Sequence, residues 1–423
     1  MSSRLAFGFA LLVGACGGAG GSAGSFVPLA SQSPSAADWS YSVLYSFSGN
    51  DGSLPRARLV LDAGGNLYGT TSAGGASNLG VVFRLTPDGR YTVLHGFSGR
   101  DGSDPEAGLI LDPNGTLYGT TSAGGASNLG VVFKLAPDGR YAVLHNFSGR
   151  DGATPVADLV RDASGNVYGT TRAGGTYGTT HQGGVVYKVA PDGTETVLHS
   201  FSYGVPDSVD GAVPVAGLVF DAAGNLYGTT LTGGSPVVPG GLGGPPSGIG
   251  TVFKLAPDGT ETILHTFGAD AAGVDPHAGL VLDAEGNLYG TTLTGGCGAP
   301  QQDGAVFRLA PDGTVTPLHC FNGSDGSGPG AGLVRDGGGS LFGTTGTGGP
   351  TGLATGATAN GVVFKLASGG TYTVLHSFSL SGAEGSTPEA GLAFDARGNL
   401  YGTAASGGAS FNGVVFKLSP GGQ

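Results

Sequence analysis

Seven near-copies of one segment of about fifty residues fill positions 41–423, and this repetition constrains the fold more than any single residue does. The copies begin at Tyr41, Tyr91, Tyr141, Glu195, Glu261, Val315 and Tyr372. Each reads approximately Y-T-V-L-H-S-F, A-G-L-V-L-D, G-N-L-Y-G-T-T, G-V-V-F-K-L-A-P-D-G. A unit of this size cannot bury an apolar face alone, so the copies must stack into one body. The 423 residues are therefore read as one domain, not two or three.

Within a copy, four short runs carry β-branched and aromatic residues. In the second copy they are Thr92 to Phe97, Gly108 to Leu111, Leu117 to Thr121 and Val131 to Leu135. No run has a helical period. The turns between them, such as Asp112-Pro113-Asn114-Gly115 and Pro137-Asp138-Gly139, use Pro to preset φ, Asp to accept backbone amides and Gly to take positive φ. Gly is abundant, 87 residues, and charged residues are scarce, 11%, yet the apolar residues recur at regular spacing; this is a turn-rich β chain and not a disordered one. Four antiparallel strands per copy, repeated radially, predict an all-β fold: a seven-bladed β-propeller.

The two ends of the chain predict how the ring closes. The last copy stops after Gly413 to Leu418, where every other copy continues into its T-V-L-H-x-F strand; the missing strand stands at the beginning, as Tyr41 to Phe47. That N-terminal strand is expected to pair with the last blade, burying Val43, Leu44, Tyr45 and Phe47 and removing two open sheet edges.

The turn pattern G-x-x-x-D-x-x-G-N-x-Y resembles the first two strands of NHL-type bacterial propeller blades. More specifically, G-L-V-L-D-A-x-G-N-L-Y-G-T-T followed by G-V-V-F-K-L-A-P-D-G resembles the GloVer tandem-repeat family, over residues 41–423; Leu67 to Phe83 and Leu117 to Phe133 are identical. The resemblance implies an extracytoplasmic bacterial protein joined to an anchor. It implies no particular activity.

Residues 1–15 read as a signal peptide, with Arg4 followed by an apolar run, Leu5 to Val13, too short to span a bilayer as a helix. Val13-Gly14-Ala15-Cys16 resembles a lipobox, which makes Cys16 the expected lipidated N-terminus; an ordinary secretory signal with a coincidental Cys is the alternative. Residues 16–40 are then a flexible linker, and the domain spans 41–423. The expected location is the cell envelope, with membrane contact only through the lipid. In an oxidising compartment the remaining cysteines, Cys297 and Cys320, both in the fifth blade, are a disulfide candidate.

The copies serve as an internal alignment, and what recurs seven times is read as scaffold. The Asp ending each inner strand (Asp62, Asp112, Asp162, Asp221, Asp283, Asp336, Asp395) is expected to accept turn amides. A recurring basic residue in the third strand (Arg84, Lys134, Lys188, Lys254, Arg308, Lys365, Lys417) is expected at the same end, giving a ring of ion pairs. His95, His145, His199, His265, His319 and His376 sit in the outer strands of separate blades, too far apart to share one ion, and are read as packing or hydrogen-bonding residues. One Asp per inter-blade loop, as in Asp101-Gly102, is too few oxygens for calcium and is read as a turn. No metal site or cofactor is expected.

Where the copies differ is read as the site. Their lengths are 50, 50, 54, 66, 54, 57 and 52, and the extra residues fall in two loop classes: between second and third strands, and between an outer strand and the next inner strand. In a four-stranded antiparallel blade both classes emerge on one face, which also receives the start of each inner strand. There Arg56, Arg58, Glu106, Asp158, His277 and Glu389 stand where other copies have Val or Gly, and these six are the candidate ligand-binding residues at the mouth of the central channel.

The formal net charge of −12 and the lack of any Lys/Arg run exclude nucleic acid as a partner. No catalytic motif such as G-x-S-x-G or H-E-x-x-H occurs. The favoured reading is a monomeric, membrane-anchored binding module for a glycan, protein or small ligand; the alternative is a lyase- or hydrolase-type enzyme at the channel mouth, which rests on fold analogy.

Overall fold

The computed structural model describes residues 39–176, 183–202, 210–234, 250–268, 272–297, 303–350, 360–379 and 382–421. The proposed signal, Cys16 and most of the linker lie outside them. So do the greater parts of the long loops at 175–182, 203–213, 234–250, 296–302 and 349–360 and shorter pieces of those at 269–274 and 380–386.

Seven four-stranded antiparallel sheets form the blades of a propeller. In the second blade the strands are Ile110–Leu111, Leu117–Thr121, Val131–Leu135 and Tyr141–Asn146. The N-terminal strand, Trp39–Ser46, closes the ring by pairing with Val414–Pro420, with Tyr41 opposite Leu418 and Ser46 opposite Val414. Closure thus follows the expected scheme, with the strand beginning two residues earlier, at Trp39. One detail is corrected. Val43 is 38% exposed, on the outermost strand of the blade just before a bulge in the ladder between Val43 and Tyr45. Phe47 is fully buried, but in the cluster of the first blade, beside Leu59, Phe83 and Val415.

The same bulge recurs in the outer strands. Val82 opposes His95 and Phe83 opposes Val93, so Leu94 is the extra residue. A bulge re-aims the side chains that follow it, and here it turns His95 into the seam between blades, where its ring lies on Tyr141 of the next blade. Sequence alternation alone did not reveal this.

The core sits between blades. Val82 of the first blade packs with Phe97, Leu109, Leu117 and Phe133 of the second, and Phe97 meets Phe133 edge-on at 5.5 Å. Each such Phe is closed off from water, which is worth roughly 1.5–3 kcal/mol per side chain. The Gly of L-Y-G-T-T has a steric reason: a Cβ on Gly119 would stand 2.7 Å from Cζ of Phe133.

Inner strands are shorter than expected. Only Ile110 and Leu111 pair in the ladder, whereas the run was read from Gly108. The preceding backbone groups are used between blades instead: the Thr70 hydroxyl donates to the Ala107 carbonyl, and Thr403 of the last blade to that of Ala57 in the first. The recurring Asp does cap its turn. Asp62 accepts the amides of Gly64 and Asn66 at 2.9 Å on one oxygen, and Asn66 Nδ2 and the Tyr68 hydroxyl on the other. That last contact corrects the expected ion-pair ring. The tyrosine hydroxyl takes the place assigned to the basic residue, and no ion pair links the two sets among the described residues; Lys365 and Lys417 lie over the rings of Phe342 and Tyr401. No helix among the described residues is long and apolar enough to cross a membrane.

Candidate functional site at the channel mouth

Seven residues that precede a proline hold a left-handed backbone: Leu54, Asp104, Thr154, Val213, Asp275 and Thr387, with φ between 55° and 60°, and Gly328, with φ 64°. Residues before proline ordinarily avoid this region, so each turn carries local strain. It is held at both ends. Thr154, for example, donates its amide to Leu129 of the preceding blade and accepts the Arg172 amide on its carbonyl. The chain thereby turns sharply inward, and the residue after each proline is delivered to the channel wall.

Those positions are Arg56, Glu106, Val156, Val215, His277, Gly330 and Glu389, and they ring one opening. Two residues further on, Arg58 and Asp158 reach into a deeper compartment of about 430 Å³ whose wall includes all six candidate residues. The mouth above it measures about 530 Å³. Arg56 Nε lies 3.2 Å from Glu389, joining first and last blades. Arg58 Nε lies 3.4 Å from Asp158 Oδ2, reaching past the second blade to the third, while Asp158 Oδ1 accepts the Gly108 amide at 2.6 Å. Gly at 108 leaves room for that reach, since a Cβ there would stand 2.9 Å from Asp158 Oδ1.

Glu106 is held above the usual carboxylate range, by burial first and by Asp104 second, against the pull of Arg56 and Arg172. Burial pushes His277 the other way, below its usual value; Asp275 opposes and Arg172 adds to the effect.

Arg172, Leu231 and Leu293 also line the mouth and were missed. They occupy the position after G-T-T, which elsewhere reads Ser72, Ser122, Gly346 and Ala405. The signal was present in the same column comparison that exposed Arg56 and His277. The mouth is two-sided in composition: Arg56, Glu106, Arg172 and Glu389 supply charge, and Val156, Val215, Leu231 and Leu293 an apolar wall.

The stems of both variable-loop classes stand side by side. Ser103 bridges Ala123, Ala153 bridges Ala173, and Gly211–Ala212 pairs with Thr232–Gly233. They therefore share the face around the mouth. On that face Phe411 is 73% exposed, and Cys297 and Cys320 form a disulfide with Cα atoms 6.1 Å apart, within the ordinary range for such a bond. Close groups of three His, Asp or Glu donors occur at blade junctions and not on the cavity wall, among the described residues.

A seven-bladed propeller with a charged, loop-rimmed mouth is the class this architecture defines. The chain belongs to the Gloeobacter/Verrucomicrobia repeat family, whose model matches residues 15–238 and 240–423. No curated protein matches it. Among solved structures it is similar to the extracellular domain of the hybrid two component system BT3049 from B. thetaiotaomicron, at 12% identity and a TM-score of 0.53. That match covers 89% of this chain and 40% of the other. It is also similar to the extracellular domain of BT4673 from the same organism, at 11% identity and TM-score 0.52, over 89% of this chain and 39% of that one. The gluconolactonase XC5397 from Xanthomonas campestris aligns at 17% identity and TM-score 0.41, over 72% and 82% of the two chains. At these identities the likeness is one of fold.

Proposed function

We propose that the protein is an exported binding module that takes its ligand at the channel mouth and on the loop face around it. The observation that carries this is the convergence of Arg56, Arg58, Glu106, Asp158, His277 and Glu389 on one cavity, from the positions at which otherwise near-identical copies diverge. Ion pairs as exposed as Arg56–Glu389 contribute only about 0.2–1 kcal/mol to stability, so fold maintenance is a weak reason for the charges. A wall that is charged on one side and apolar on the other suits a ligand with hydrogen-bonding groups and an apolar face, such as a sugar ring or a peptide side chain. The proposal includes attachment through a lipid on Cys16, which would hold the propeller at the envelope surface. The Bacteroides propellers that share the fold are extracellular domains, which agrees with export.

Screening the purified domain against glycans and envelope proteins, with Arg56→Ala and His277→Ala beside it, tests this. Binding that weakens in either variant, with no turnover, supports the module. Turnover abolished by either variant identifies an enzyme instead, and a ligand mapped only to the opposite face removes the site.

A further inference from the structure

At four blade junctions the first residue of a copy is a tyrosine that closes the seam. Tyr141 lies flat on His95, Tyr91 on Tyr45, Tyr372 on His319 and Tyr41 on His376. In the fourth and fifth copies that residue is Glu195 and Glu261. A carboxylate then replaces an aromatic ring beside a histidine and an aspartate, and donor atoms of His199, Asp210 and Glu261 all come within 4.8 Å of one another, as do those of His145, Asp151 and Glu195.

The two clusters differ in spacing. His145 keeps the 3.0 Å hydrogen bond to Asp151 that His95 makes to Asp101. His199 is opened: its Nε2 stands 3.4 Å from Asp210 Oδ1 and 3.6 Å from Glu261 Oε2. With bonds of about 2.0–2.2 Å, the edges of a tetrahedron around zinc measure roughly 3.3–3.6 Å, so these separations are those of atoms sharing an ion. Glu261 offers a second sign. Its other oxygen, Oε1, is closed off from solvent and has no hydrogen-bond partner among the described residues, an unfavourable state for a buried acceptor. The site is sheltered but reachable, with side-chain exposures of 20% for His199 and 14% for Asp210 and Glu261.

We propose that His199, Asp210 and Glu261 bind a divalent cation of the zinc type at the seam between the third and fourth blades. One nitrogen and two carboxylate donors favour zinc over the harder calcium and magnesium, which prefer oxygen throughout. The ion takes over the task of the missing tyrosine, since its ligands come from the outer strand of one blade, the loop that follows it and the outer strand of the next. Sequence reading missed the site because His199 and Asp210 are separated by a long loop and Glu261 belongs to another copy.

The test uses untagged protein stripped with chelator and titrated calorimetrically with Zn²⁺, Mn²⁺ or Ca²⁺, with thermal melting in parallel. One Zn²⁺ per chain is expected, tighter than Ca²⁺, with a rise in Tm. Glu261→Gln is expected to weaken Zn²⁺ by at least the 10–100-fold that lesser changes around metal ligands cause. Glu261→Tyr, which restores the residue used at four other junctions, is expected to abolish binding while the metal-free protein melts no lower than the parent. Absence of Zn²⁺ binding, Ca²⁺ binding tighter than Zn²⁺, or Zn²⁺ affinity unchanged in both Glu261 variants would overturn the proposal.

Discussion

The imidazole of His95 lies on the ring of Tyr141 with centroids 3.9 Å apart and planes 6° from parallel, although the two residues belong to successive blades. Both are tied to one aspartate: His95 Nε2 meets Asp101 Oδ2 at 3.0 Å, and the Tyr141 hydroxyl donates to the Asp101 carbonyl at 2.5 Å. The same latch is built from His319, Asp325 and Tyr372. At four junctions, positions in this column that look like isolated histidines or tyrosines are thus inter-blade fasteners.

Tyr141→Phe keeps the stacked ring and deletes the bond to Asp101, so it should cost about 0.5–1.5 kcal/mol in denaturant unfolding. Tyr141→Ala also removes the ring and opens the seam, for a loss of roughly 3–5 kcal/mol. Equal effects of the two variants would show that the hydroxyl, and not the stack, carries the latch.

Removing residues 39–46 deletes the strand that pairs with Val414–Pro420 and the Tyr41 ring that lies on His376. Several kcal/mol are lost with those buried rings. At about 2–4 °C per kcal/mol for a large domain, Tm should fall by on the order of 10 °C, and exposed edges should promote association. A melt matching that of the intact chain would contradict strand-mediated closure.

Asp158 serves two partners at the channel wall, the Gly108 amide and the Arg58 guanidinium. Asp158→Asn retains an acceptor for the amide and should be nearly neutral for folding. Asp158→Ala leaves that amide unpaired and should cost about 1–3 kcal/mol. Chemical denaturation of the two variants side by side distinguishes an acceptor role from a charge role.

Burial holds the His277 imidazole below its usual value, and burial does the same to His95 despite the opposing Asp101 carboxylate. A depressed folded value means that stability is fully present above the unfolded value of about 6.5 and is lost as pH falls through the folded one. The stability contributed by these two imidazoles should therefore decline on acidification below about pH 6.5, and His277→Gln should remove its share of that slope from the profile of Tm against pH. An identical pH profile in parent and variant would exclude His277 as a contributor.

Much of the architecture was legible because tandem copies act as an alignment of the chain with itself. Turn residues at fixed spacing gave the blades, and the absent final strand predicted that Tyr41 to Phe47 would complete the last sheet, which Trp39–Ser46 does against Val414–Pro420. Column-by-column divergence also marked Arg56, Arg58, Glu106, Asp158, His277 and Glu389, which do line one cavity. Arg172 stands in an equally readable column, at the position after G-T-T.

Other features were decided only by the folded chain. The bulge at Leu94, the tyrosine hydroxyl standing where an ion pair was expected on Asp62, and the meeting of His199, Asp210 and Glu261 are not written in local pattern. Periodicity specifies which strands form and in what order, because it records how each unit buries its own apolar face. The contacts that distinguish one seam from the next depend on side-chain directions and distances between units about fifty residues apart, and those are set when the ring closes.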